Sequence, residues 1–81
     1  MEEETRNKIE RFKEKAEYFL ENDLRAFIKD KDDSYYFCDI LLVGETRLMV
    51  YNFAGKRKGE KDHLLWIDIE SIEEYQEEGK E

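Results

Sequence analysis

The sequence has no proline, and it has only one cysteine, one histidine and one tryptophan among its 81 residues. A lone cysteine excludes an internal disulfide, and Cys38 and His63 together cannot supply the four ligands of a structural zinc site. A chain of this length buries only about 60% of its unfolded surface on folding. Its stability must therefore come from a small hydrophobic core or from contacts with a partner.

Long apolar runs are also absent. No stretch approaches the roughly 20 apolar residues that a membrane-spanning helix needs. The first residues are acidic, whereas a secretory signal begins with basic residues and continues into an apolar segment. Together with the single cysteine, these features predict a soluble, cytoplasmic protein.

Charge is abundant but unbalanced. Asp and Glu number 22 against 14 Lys and Arg, which gives a net charge of −8. This balance argues against a protein that coats nucleic acid by bulk electrostatics. The Lys- and Glu-rich composition is typical of thermophiles, although the missing prolines add nothing to that interpretation. Residues 54–63 form a basic segment, with four cations against two carboxylates.

Apolar residues at spacings of three and four predict a helix over residues 2–21, with Ile9, Phe12, Ala16 and Phe19 on one face. Two alternatives follow for this stripe. It either docks on the core of its own chain or forms an interface with another copy. In the second case the candidate interface residues are Ile9, Phe12, Phe19 and Trp66.

The rest of the chain has the pattern of short strands. Residues 24–29 alternate as a half-buried strand, and residues 35–53 form a hairpin about Gly44-Glu45-Thr46. A further strand is predicted at 63–67, then a helical turn at 68–70. Residues 71–75 form a last strand, or 71–78 a helix, before an acidic tail at 76–81.

Both faces of the first hairpin strand are mostly apolar, which predicts burial inside a closed barrel or against a covering helix. No segment is long enough for crossover helices, so the strands must be antiparallel. The expected fold is mainly β with an N-terminal helix. Residues 1–81 then form one domain, with a small five-stranded antiparallel barrel over residues 24–75.

The order of elements resembles the Sm-like and SH3-like small barrels. The resemblance rests on the strand Leu24-Arg25-Ala26-Phe27-Ile28 and on the closing segment from Leu64 to Ile72. It implies assembly through edge strands. It does not carry over the RNA-binding signature of the Sm-like family, because Cys38, Gly44, Leu48 and Ile67-Asp68 stand where that family has its glycine, aspartate, asparagine and Arg-Gly pair.

The basic segment is the main candidate site for nucleic acid. Lysines and arginines on a loop neutralise phosphates, and neighbouring aromatic rings stack bases. The candidate residues are Lys56, Arg57, Lys58, Lys61, Tyr51, Phe53 and Trp66. The alternative is a solvated hairpin tip whose charges prevent an edge from pairing with other chains.

No catalytic constellation accompanies His63 or Cys38, and no cofactor, metal or small-molecule substrate is predicted. We therefore expect a protein without enzymatic activity. The first hypothesis is an interaction or assembly module that forms homo-oligomers, since a thin core gains stability from a partner. The alternative hypothesis is an RNA-binding small barrel that uses residues 56–61.

Overall fold

The computed structural model describes residues 3–76 and contains one helix and five strands. The helix α1 spans Glu3–Glu21. The strands are β1 Arg25–Asp30, β2 Tyr35–Val43, β3 Arg47–Ala54, β4 Lys61–Leu65 and β5 Ile69–Glu74. The predicted fold class, mainly β with an N-terminal helix, is confirmed. No helix of the described part is long and apolar enough to cross a membrane.

The five strands form one antiparallel sheet in the order β4-β3-β2-β1-β5. The predicted hairpin is present, since β2 and β3 pair around a turn in which the Gly44 N–H donates to the Arg47 carbonyl. The sheet is not closed into a barrel. Within residues 3–76, β4 and β5 pair on one side only, so each forms an edge of the sheet.

One face of the sheet forms the core together with the helix. Residues at every second position of β1, β2 and β3 are buried, as the pleat of a strand requires. Ala16 and Phe19 of α1 are buried against this face, and Ile9 and Phe12 pack on it. The helix stripe therefore packs on its own sheet, as the first of the two alternatives expects.

The opposite face carries a row of aromatic rings, which explains why β2 is apolar on both sides. Phe27 stacks between Tyr35 and Phe37, with ring centroids 5.3 and 5.1 Å apart. Tyr75 meets Phe37 and Phe53 edge-on. These rings cover one another across the strands, so the second face needs neither barrel closure nor a helix.

The final segment has the predicted order of elements but different bounds, and β4 spans residues 61–65 where a strand was predicted at 63–67. The helical turn is not at residues 68–70 but at Trp66–Asp68, where the Ile69 N–H donates to the Trp66 carbonyl. Ile69 is buried and pairs with Asp30, so it already belongs to the last strand. Of the two alternatives for residues 71–78, the structure has a strand as far as Glu74. Residue 2 of the predicted helix and residues 77–81 of the predicted tail lie outside the described residues.

Candidate functional site

A polar network connects the β3–β4 loop to the adjacent end of the sheet. Asn52 is fully buried, and its side-chain N–H groups donate to the Glu60 carbonyl at 2.9 Å and to Asp62 Oδ2 at 2.7 Å. Arg57 contacts the other Asp62 oxygen at 3.3 Å and lies 5.3 Å from the ring centre of Tyr36. The network ties the loop to the core, since buried polar groups are stable only when they are hydrogen-bonded.

The β1–β2 turn continues this network. Asp30 Oδ1 accepts hydrogen bonds from the backbone N–H groups of Asp32 and Ser34, while Oδ2 accepts the Tyr36 hydroxyl at 3.1 Å. Burial and this hydrogen bond raise the pKa of Tyr36 above its usual value. Asp30 therefore orders the turn, and the phenol stays protonated over the physiological range.

The basic residues predicted from the sequence do not share one environment. Arg57 is engaged by Asp62 inside the network just described. Lys56 lines a groove of about 450 Å³ together with Arg57, Tyr35 and Phe37. Lys58 and Lys61 are exposed, and Lys61 pairs with Tyr51 across strands β4 and β3. Within residues 3–76, Arg57 is thus paired with a carboxylate, whereas Lys56, Lys58 and Lys61 form no ion pair.

The three aromatic residues predicted to stack bases also differ. Tyr51 is exposed, whereas Phe53 is half-buried beneath the Arg25 guanidinium, which lies 4.2 Å from its ring centre. Trp66 is only 2% exposed, and its indole N–H donates to the Gly44 carbonyl at 3.0 Å. Trp66 therefore offers no open ring face for stacking, and its polar atom is already satisfied.

The sequence reasoning missed the aromatic residues nearest to the loop. Tyr35, at 51% exposure, and Phe37 line the same groove as Lys56. Gly55 adopts a φ of +88°, and a Cβ there would lie 3.2 Å from the Phe37 ring, so the backbone fits closely over that ring. The signal that could have found them was the phase of β2, which places Tyr35 and Phe37 on the face away from the core.

The residues predicted as an intermolecular interface lie inside the protein or against its core. Phe19 and Trp66 are 3% and 2% exposed, and Ile9 and Phe12 pack on the core cluster. Ile9 and Trp66 also line a mostly apolar groove of about 360 Å³. Leu65 and Ile67, 42% and 46% exposed, line the same groove.

The outer edge of β4 has unpaired backbone groups next to this groove. Two hydrogen bonds at the ends of the β3–β4 ladder show which residue pairs are hydrogen-bonded, that is, the phase of the ladder. The Asn52 N–H donates to the Glu60 carbonyl, and the Trp66 N–H donates to the Thr46 carbonyl. Bonded and non-bonded pairs alternate in antiparallel sheets. Asp62 and Leu64 therefore bond to β3, and the backbone groups of residues 61, 63 and 65 point to the open edge.

The cleft beyond that edge has an acidic far side. It is lined by His63, Leu64 and Leu65 of β4 and by residues of the β1–β2 turn and the 3-10 turn, among them Asp30, Asp32 and Asp68. The Lys31 N–H donates to the Asp68 carbonyl at 2.9 Å, which holds these two turns together. Residues of β4 and three aspartates thus line the same cleft.

Cys38 is a core residue. It is fully buried opposite Asn52, and burial raises the pKa of its thiol to about 12. A nucleophilic cysteine has a lowered pKa and an exposed sulfur. The thiol therefore acts as a small hydrophobic group.

Comparisons with protein-family models, with curated proteins and with solved structures found no match.

Proposed function

We propose that this protein is a non-catalytic interaction module that associates with itself through the open edge of β4. The observation that carries the proposal is the hydrogen-bonding pattern between β3 and β4. Within residues 3–76, this pattern leaves the backbone N–H and C=O groups of Lys61, His63 and Leu65 unpaired. Such an edge is a template for pairing with another strand.

The flanks of the edge support the same role. Leu65 and Ile67 are exposed beside the apolar groove against α1. Proteins that remain monomeric protect their edges with proline, charge or a bulge. The sequence has no proline, and β4 pairs with β3 without a bulge. Of the β4 residues whose backbone faces outward, only Lys61, at the first position of the strand, supplies a charge.

The test compares two substitutions at one position. Proline at residue 63 removes an N–H that points to the open edge, so the β3–β4 ladder keeps its own bonds. We expect light scattering to give an oligomer for the unaltered protein and for His63→Ala, and a monomer of 9.9 kDa for His63→Pro. Circular dichroism checks that His63→Pro keeps the fold. A folded His63→Pro variant with an unchanged oligomer mass would contradict the proposal.

RNA binding is the second candidate function. It is favoured by the groove in which the exposed Tyr35 lies near Lys56, with Tyr35 held parallel to Phe27 at an interplanar angle of 5°. An aromatic face beside a free lysine is the arrangement used to stack a base and neutralise a phosphate.

This second function is tested with a labelled uridine-rich RNA by fluorescence anisotropy at low and high salt. We expect Tyr35→Ala to weaken binding by about 1–3 kcal/mol. The double variant Lys56→Ala and Lys58→Ala should reduce the salt dependence of the affinity. The control, Lys8→Ala with Arg11→Ala, removes the same charge from α1. Equal losses in both double variants, or no binding at all, would dismiss RNA binding.

A relationship to the Sm-like or SH3-like fold, in strand order and connections and with an open sheet, remains part of the proposal. It is supported by the return of β5 to the side of β1 and by the single turn between β4 and β5. The cytoplasmic location expected from the sequence stays a prediction, which fractionation of cells that produce the tagged chain would test.

A further inference from the structure

We infer that the strand that pairs with β4 is β4 of a second copy, in an antiparallel two-fold register centred on His63. This inference rests on the proposed function. It adds the identity of the partner strand and the residues that face one another. It follows from the direction of the free backbone groups, from the face on which each side chain lies, and from charge.

Strand β5 forms the other open edge, and its pairing with β1 shows which of its backbone groups point outward. The Tyr75 N–H donates to the Arg25 carbonyl, so Ser71 and Glu73 bond to β1 and the backbone groups of Ile72 and Glu74 point outward. A second copy can therefore offer either residues 61, 63 and 65 of β4 or residues 72 and 74 of β5.

Pairing of β4 with β5 of a second copy brings together unlike faces. Residues directly opposite in a ladder have their side chains on the same side of the sheet. His63 lies on the outer face, whereas Ile72 is 1% exposed and belongs to the core. This pairing would make the core face of one copy continuous with the outer face of the other, a mismatch equivalent to a one-residue slip.

Pairing of β5 with itself brings carboxylates together. A register that places Ile72 opposite Ile72 of the second copy also places Glu70 opposite Glu74. The neighbouring register, in which Ile72 meets Glu74, places Glu73 opposite Glu73. Like charges directly opposite each other destabilise a sheet. The β5 edge is therefore unsuited to a symmetric dimer.

Pairing of β4 with itself avoids both conflicts. With His63 opposite His63 of the second copy, Lys61 faces Leu65 in both directions. Every free backbone group of the three residues is then paired, and the outer faces of the two sheets are continuous. Each Leu65 is covered by the aliphatic stem of a lysine, which keeps its ammonium group in water.

Charge also supports a second copy as the occupant of the cleft beside β4. Asp30, Asp32 and Asp68 line that cleft together with residues of β4. Residues 54–63, which carry four cations against two carboxylates, end in β4 itself. A second β4 beside the first thus brings Lys61 towards carboxylates, although the chain as a whole carries a net charge of −8.

The test uses cysteine pairs that only this register brings together. Opposite residues in a bonded antiparallel pair have Cα atoms about 5.5 Å apart, within the range for a disulfide. We expect His63→Cys to form a disulfide-linked dimer under mild oxidation. Lys61→Cys and Leu65→Cys should not cross-link alone, because two identical positions would lie about 13 Å apart along the strands. Their mixture should give at least a tenfold larger yield of cross-linked heterodimer.

Two controls accompany the cross-linking. Tyr18→Cys places a thiol on an exposed position of α1, 58% exposed before substitution, and should remain unlinked. Cys38 is buried and does not compete. The products are identified by mass spectrometry without reducing agent.

The outcomes separate this inference from the proposed function. An oligomer that dissociates on His63→Pro but yields no heterodimer from the Lys61→Cys and Leu65→Cys mixture would overturn the register and leave the proposed function intact. A monomer at all concentrations, with no cross-links, would overturn both. Cross-linking of the mixture together with the His63→Cys dimer is the result we expect.

Discussion

Asn52 shows what the local sequence pattern can predict about a residue and what it cannot. Alternation in β3 places Asn52 on the same face as Leu48 and Val50, and the structure buries all three. The pattern could not predict what satisfies Asn52, because its partners Glu60 and Asp62 lie beyond the loop. The Asn52 carbonyl oxygen is buried without a hydrogen-bond partner, the only such side-chain atom within residues 3–76.

Cys38 provides a prediction about stability at high pH. Its pKa is raised to about 12 in the folded protein because burial disfavours the thiolate. The unfolded chain ionises near the ordinary cysteine value and so binds fewer protons in the window between the two values. Stability is therefore fully present below that ordinary value and falls as the pH rises towards 12, by up to about 1.4 kcal/mol per pH unit.

Urea denaturation near pH 8 and near pH 10.5 measures this effect. Cys38→Ala removes the thiol, so it should lower stability at both pH values but reduce the loss between them. Tyr36 stays in both proteins, and its raised pKa contributes equally to the two curves. An identical loss in the unaltered protein and in Cys38→Ala would show that the buried thiol does not control the alkaline transition.

A helix or strand could be predicted where the spacing of apolar residues within that segment alone indicates it. The helix and the β2–β3 hairpin follow from periods of 3.6 and 2 residues, and the structure has both. The 3-10 turn was placed two residues too late. Its position depends on Trp66, which bonds through its backbone to Thr46 and through its indole to Gly44, two contacts that local pattern does not reveal.

Helix α1 provides a prediction about the core. Phe19 is 3% exposed against the sheet, whereas its neighbour Tyr18 is the most exposed large apolar side chain within residues 3–76. Phe19→Ala should lower the free energy of unfolding by about 3–5 kcal/mol, because it removes buried contacts and leaves a cavity. Tyr18→Ala, the matched control, should change it by about 0.5 kcal/mol or less.

Chemical denaturation followed by tryptophan fluorescence measures both variants, since Trp66 is buried in the same core. Similar small losses in the two variants would contradict docking of the helix on its own sheet. They would return its apolar stripe to the role of an intermolecular surface.

At the scale of the whole molecule, the sequence predicted the number and direction of strands but not an open sheet. Closure was inferred from the apolar second face of β2, which the structure instead covers with flat aromatic rings. The candidate site moved from the basic loop to the edge of β4, because this edge too is defined by contacts between strands. Ladder phase, which determines the free groups of β4, depends on pairing between strands and not on composition.

The central claim is that the open edge of β4 pairs with another strand, and amide hydrogen exchange measured by NMR over a range of protein concentrations tests it most directly. The amides of Asp62 and Leu64 bond to β3 and should be protected at every concentration. Those of Lys61, His63 and Leu65 should exchange rapidly in dilute solution and become protected as concentration rises. Rapid exchange at these three amides at all concentrations, with Asp62 and Leu64 protected, would contradict the account.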